Sequence, residues 1–146
     1  MHWRIITVGK PVFPWAKEAA ETYLKRLQHY TKVEHVAIKD GPRATTEPQL
    51  IAASENTFRI VLDERGEARR SVDLARWIGQ RHLDGTKRAS ILIGGSDGHS
   101  AELRSRADAV WKLSELTLQH DVALVVLLEQ LYRCHTILKG EPYHRE

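Results

Sequence analysis

Apolar positions along the chain change their period several times, and each change marks an element. Residues 2–9, HWRIITVG, are β-branched and aromatic and stop at Gly9 and Pro11, which predicts a strand running into a loop. From Pro14 the residues Ala16, Ala19, Ala20, Tyr23, Leu24 and Leu27 recur at helical spacing, with the proline in the first turn, where its missing N–H does no harm. KVEHVAIK predicts a second strand. DGPRATTEP then reads as a loop, and Thr46 or Glu47 opens a short helix to about Asn56.

FRIVLDE is almost wholly apolar in its middle, as a strand covered on both faces should be. The basic run ERGEARR leaves its end as a loop. Ser71 is placed to cap a helix to about Leu83, with Val72, Ala75, Ile78 and Leu83 on its buried side. RASILIGG is the most hydrophobic strand. Ser100 can cap the next helix, whose apolar stripe is Leu103, Ala107 and Val110 and whose first turn holds Glu102, an acid that suits the helix dipole. LSELTL alternates like a fifth strand. Val122 to about Lys139 predicts a last helix whose first two turns are apolar all round and therefore need cover on every side. Five strands alternating with helices imply an α/β fold, a mostly parallel sheet with helices on both faces.

The 146 residues suit one domain, residues 1–146, with no repeat or linker. With 42% apolar and 28% charged residues the composition is that of a globular protein rather than a disordered one. A single cysteine, Cys134, excludes an internal disulfide, and the N-terminus lacks the pattern of a secretion signal, so the cytoplasm is expected. The longest apolar run, Val122 to Leu128, is far below the roughly 20 residues of a membrane span. The net charge is +3, and the stretch Arg59 to Arg88, with eight basic residues against five acidic, carries all of it. Such a stretch is either a nucleic-acid footprint or a solvated helix of mixed charge.

ILIGGSDG places Gly94, Gly95 and Gly98 directly after a buried strand, at the sheet edge where open α/β folds bind ligands. The spacing matches neither a P-loop, which needs a lysine, nor the dinucleotide fingerprint. The loops in VLDERG and LTLQHD open on the same edge if their strands are parallel neighbours, and the three together would make a pocket. The eight histidines show no metal-ligand spacing, so no metal is expected. Glu129 and Arg133, four apart with the acid first, form a favourable helical ion pair whatever else they do. The ending EPYHRE offers an aromatic ring, an imidazole and a guanidinium where most chains simply fray.

LIGGSDG, WKLSELTLQH, EQLYR and the terminal PYHRE, in this order and spacing, resemble the RlmH family of SPOUT-class RNA methyltransferases. ITVGK is similar to that family's first strand, and the likeness runs from about IVLDERG to the end. The resemblance implies a C-terminal segment tied into a deep trefoil knot. It implies that S-adenosyl-L-methionine sits in the knotted loops, by motif position at Leu62, Gly94, Gly95, Leu113, Ser114, Glu115, Leu116, Thr117 and Leu118. A homodimer packed through the last helix is implied too, as is methyl transfer to N3 of a pseudouridine in 23S rRNA on the assembled ribosome. Tyr143, His144, Arg145 and Arg133 are then the residues expected to contact the base or help its proton away, with His120 and Glu129 as further candidates and the tail ordering fully with substrate. Gln119 stands where the family usually has proline, and Leu124 where arginine is common. Two rival expectations are a non-catalytic ribosome-binding or assembly factor, which would bind RNA with little cofactor affinity, and a small-molecule enzyme holding a nucleotide in the glycine loop.

Overall fold

The computed structural model describes residues 1–144. Its elements follow in chain order: β1 (His2–Val8), α1 (Pro14–Leu27), β2 (Lys32–Ile38), α2 (Arg43–Ala53), β3 (Phe58–Ala68), α3 (Ser71–Leu83), β4 (Arg88–Ile93), α4 (Ala101–Ser105), β5 (Ala109–Lys112) and α5 (His120–Leu138). The strands form one sheet in the order β2-β1-β4-β3-β5, and every pairing is parallel.

The period of two sorts the strand residues between two cores. Trp3 and Ile5 of β1, Ile60 of β3 and Ile91 and Ile93 of β4 join Ala20, Ile78, Leu127 and Leu131, so α1, α3 and α5 cover this face. Ile6, Val8, Val61 and Leu92 point the other way and meet Leu50 of α2 and Leu103 of α4. A central strand such as β4 is thus buried on both faces from Ala89 to Ile93, and its sequence is apolar there except for Ser90. No helix among the described residues is long and apolar enough to cross a membrane.

Several boundaries differ from the expected ones for reasons of packing. The fifth strand is AVWK, not LSELTL: Val110 and Trp111 pair with β3, and residues 113–118 form a loop. The helix expected through Val110 accordingly stops at Ser105. ERGEARR is not a free loop, because Glu67 and Ala68 return to the sheet and pair with Trp111 and Lys112. α2 starts at Arg43, three residues early, and Pro48 is accommodated inside it. Arg70, not Ser71, occupies the N-cap of α3, while the Ser71 hydroxyl donates to Gln130 Oε1 at 2.6 Å and ties α3 to α5. Leu83 is exposed; the buried side of α3 is Leu74, Ala75 and Ile78.

α5 packs between α1 and α3. Gln119 supplies its N-cap acceptor, taking the N–H groups of Asp121 at 2.9 Å and Val122 at 3.2 Å, and Leu124 is a buried core residue. The Asp121 carboxylate, itself buried, accepts from the backbone N–H groups of Val12 and Phe13 at 2.8 Å each. That pair of bonds fastens the loop after β1 to the start of α5.

Candidate active site

The site is built by a departure from sheet regularity. Both Leu62 and Glu67 of β3 pair with Trp111 of β5, so the four residues between them are pushed out of the ladder. This excursion, Asp63 to Gly66, passes so close to β5 that a Cβ on Gly66 would stand 2.6 Å from the carbonyl carbon of Trp111 and 2.7 Å from that of Val110. Only glycine permits that approach.

Beyond the carboxyl ends of β3, β4 and β5 the excursion, the glycine loop and the 113–118 loop surround an open cleft of about 1010 Å³. Leu62, Gly94, Gly95, Leu113, Ser114, Glu115, Leu116, Thr117 and Leu118 all line it, as does His120 at the start of α5. Among the lining residues not singled out in the sequence are Asp63, His99, Arg104 and Lys112. Asp63 and Lys112 stand where β3 leaves its ladder and where β5 ends, a position the sequence could have shown, whereas His99 and Arg104 are brought in by the turn and helix after β4.

The cleft floor is an ion-pair network. Asp63, nearly buried, accepts from the Arg65 N–H at 2.9 Å and lies 3.4 Å from Arg104, which donates to the His99 carbonyl at 2.7 Å. His99 is buried, and burial lowers its pKa below the usual 6.5, so the ring is neutral at physiological pH. Its Nε2 is 3.2 Å from the Leu92 carbonyl, which can only accept, so Nε2 carries the hydrogen. At the rim Lys112 and Glu115 pair at 2.8 Å.

The other predicted residues gather elsewhere. Glu129 Oε2 accepts from Arg133 Nη2 at 2.8 Å and from the Tyr143 hydroxyl at 2.9 Å, and the Arg133 guanidinium lies 5.0 Å from the centre of the Tyr143 ring. Tyr143 meets Tyr132 edge-on at 4.7 Å, and Tyr132 in turn contacts Tyr23 and Tyr30, so all four tyrosines of the chain stand together. Burial, then hydrogen bonds with Tyr23 and Glu129, raise the Tyr143 hydroxyl above its ordinary 10, which keeps it protonated and a donor. Tyr143 is thus seated on α5. His144 follows with a buried Nδ1 that has no hydrogen-bond partner among the described residues; Arg145 lies outside the described residues. Arg133 is thirteen residues beyond His120 on one helix, which at 1.5 Å per residue is about 20 Å. The tail cluster and the cleft therefore occupy different ends of α5.

An all-parallel sheet whose carboxyl edge carries a glycine loop and two further loops around one cleft is the architecture of the α/β proteins that bind ligands at that edge. The family model described as predicted SPOUT methyltransferase matches residues 1–144. Ribosomal RNA large subunit methyltransferase H of Deinococcus deserti is 40% identical over 145 residues, covering 99% of this chain and all of that one. The protein of the same name from Thermus thermophilus is 37% identical over 149 residues, with 99% of each chain covered. A probable methylase family protein from Haemophilus influenzae superposes with a TM-score of 0.59 over 99% of this chain and 70% of its own, at 10% identity, a likeness of fold. The chain belongs to the SPOUT methyltransferase family.

Proposed function

We propose that this protein transfers the methyl group of S-adenosylmethionine to N3 of a pseudouridine in the 23S rRNA of the assembled ribosome, and that it does so as a cytoplasmic homodimer of single-domain chains. The observation that carries the reading is the meeting of Leu62, Gly94, Gly95 and Leu113 to Leu118 around one cleft. Relatives 37 to 40% identical over their whole length bear the name ribosomal RNA large subunit methyltransferase H. The family's trefoil knot would be formed where the 113–119 segment passes the 62–66 excursion.

The cleft suits the cofactor. Its volume is at the upper end of ligand cavities, roughly 300–1,000 Å³, and Leu62, Leu113, Leu116 and Leu118 offer apolar cover for an adenine. Of the carboxylates in the lining, Asp63 is paired with Arg104 and Glu115 with Lys112, which leaves Glu64 and Asp97 to meet a ligand that carries a sulfonium and an ammonium charge. Bound there, the sulfonium supplies an activated methyl group. The chain's own residues must hold the base in line with it and accept the N3 proton. Arg133, Tyr143 and Arg145 contact the base or its phosphate, and His144, with its free ring nitrogen, takes the proton.

These residues and the cleft belong to one active site only if they come from different chains, given the distance along α5. An isologous dimer provides that. Val122, Val125 and Val126 face outward and are half-buried, and beside the start of α5, tied to it through Asp121, the segment after β1 carries Val12 and Trp15, exposed by 80% and 52%. Phe13 and Trp15 stack at 5.5 Å in this patch. Two α5 helices packed antiparallel through it bury the patch and bring each tail toward the partner's cleft.

The test is transfer of labelled methyl to ribosomes lacking the modification, with separated subunits alongside and the product nucleotide located by mass spectrometry. Label on a large-subunit pseudouridine, in whole ribosomes only, is expected. Label on separated subunits would remove the assembled ribosome from the reading, and cofactor binding without any transfer would mean a different RNA.

A further inference from the structure

We propose that Arg43 and Glu47, on the first two turns of α2, are positioning residues that hold the glycine loop in the shape the cofactor requires, an inference resting on the cofactor assignment above. Between Gly94 and Ser100 the loop has slender support of its own. Gly98 N donates to Gly95 O at 3.0 Å to close a turn, and Gly98 stands at φ +68°. The helix that follows, α4, has five residues, too few to hold its shape unaided.

The capping of α4 shows where its support comes from. Ser100 is the N-cap, its Oγ accepting from Leu103 N at 3.1 Å. In a capping box the third helical residue is Glu or Gln and reaches back to the N-cap N–H. Here that residue is Leu103, wholly buried in the second core and unable to do so. Glu47 fills the role from another helix: its Oε2 accepts from Ser100 N at 2.8 Å and its Oε1 from the Ser100 hydroxyl. Arg43, one turn earlier and 3.8 Å from Glu47, donates from Nη1 to the Asp97 carbonyl at 3.0 Å. Two charged side chains on one rigid support thus pin Asp97 and Ser100, the two ends of the stretch that contains Gly98.

α2 is fit for that task because Leu50 and Thr46 anchor it, Leu50 among Val8, Ile38, Val61, Leu92 and Leu103. The Glu47 side chain is 13% exposed, so water screens its bonds little. Arg43 itself reaches the cleft lining, as do Gly94, Gly95 and His99 on the loop, whereas Glu47 is not among the lining residues. Its influence on the cofactor passes through the loop.

Glu47→Ala and Glu47→Gln in the full-length protein test this. Three quantities are measured: affinity for S-adenosylmethionine by calorimetry, methyl transfer to unmodified ribosomes at varied cofactor, and amide hydrogen exchange across residues 95–100. For Glu47→Ala the cofactor Kd and KM should rise roughly tenfold, the worth of one charge-assisted hydrogen bond. The kcat at saturating cofactor and the KM for ribosomes should stay unchanged, and exchange at Ser100 should quicken. Glu47→Gln keeps an acceptor for Ser100 N and should recover most of the affinity. A lower kcat with unchanged Kd would mean that Glu47 serves the fold alone and would overturn the proposal, as would unchanged exchange at Ser100. If wild-type protein fails to bind S-adenosylmethionine, the cofactor assignment falls, and the exchange experiment still decides whether Glu47 holds the loop.

Discussion

His135 should make this protein acid-sensitive by a calculable amount. It lies on the last turns of α5, stacked 6.1 Å from Tyr30 and edge-on to Trp3 at 6.5 Å. The Trp3 indole N–H donates to His135 Nε2 at 3.1 Å, so that nitrogen must be unprotonated. Burial, helped by the positive N-terminus, His82 and Lys139, pulls its pKa from 6.5 to about 4. The native state therefore refuses a proton that the unfolded chain accepts below pH 6.5. The stability it contributes is complete above that value and is lost as pH falls toward 4. At about 1.4 kcal/mol per pH unit the interval amounts to about 3 kcal/mol, a large share of the roughly 5–15 kcal/mol that holds a domain together. The assay is urea unfolding at fixed protein concentration from pH 8 to pH 4, comparing wild type with His135→Gln. Glutamine retains an acceptor for Trp3 and does not titrate, and carboxylates common to both proteins cancel in the difference. Wild type should lose about 3 kcal/mol relative to the variant across this range, with the difference flat above pH 7. A difference independent of pH would refute the reasoning.

Gly66→Ala should destabilise the fold by about 1–3 kcal/mol or more, the usual cost of overpacking, because its Cβ would meet the backbone of Val110 and Trp111; unfolding in urea measures it, and wild-type stability would show that the excursion can yield. Gly94→Val should weaken cofactor binding by roughly tenfold or more, since even its Cβ would stand 3.1 Å from Gly98 and from the His99 ring; unchanged affinity in calorimetry would take this loop out of the site. Truncation after Gly140 should leave cofactor binding intact and nearly abolish methyl transfer, and normal transfer would make the tail dispensable. Mixing that truncated chain with Gly94→Val should restore roughly a quarter of wild-type transfer, because half of the reassorted dimers pair one intact cleft with one intact tail; no recovery would place tail and cleft in the same chain.

The sequence located the loops around the cleft better than it located the elements between them. Gly94 and Gly95 follow an apolar strand directly, and strand-end position is a local property that chain order reveals. LSELTL misled because alternation measures only whether a segment could be a strand, whereas Val110 and Trp111 became one by finding a free edge of β3. The same nonlocal pairing ended α4 at Ser105 and recruited Glu67 and Ala68 into the sheet. Glu47 looked like an ordinary helix-opening residue, and nothing near it in sequence indicates Ser100, 53 positions away, as its partner.

Periodicity, turn residues and buried runs determined the class of fold, the order of its helices and strands and the edge on which a ligand would sit, because each depends on a residue's chemistry and its near neighbours. Tertiary structure alone decided that β3 leaves and rejoins its ladder at Trp111, that Asp63, Arg104 and His99 make one network, and that Tyr143 is seated on Glu129 and Arg133 of α5, about 20 Å along the helix from His120. Those outcomes turn on contacts between residues tens of positions apart, whose loop-closure entropy is repaid only when the whole sheet and both of its cores form together.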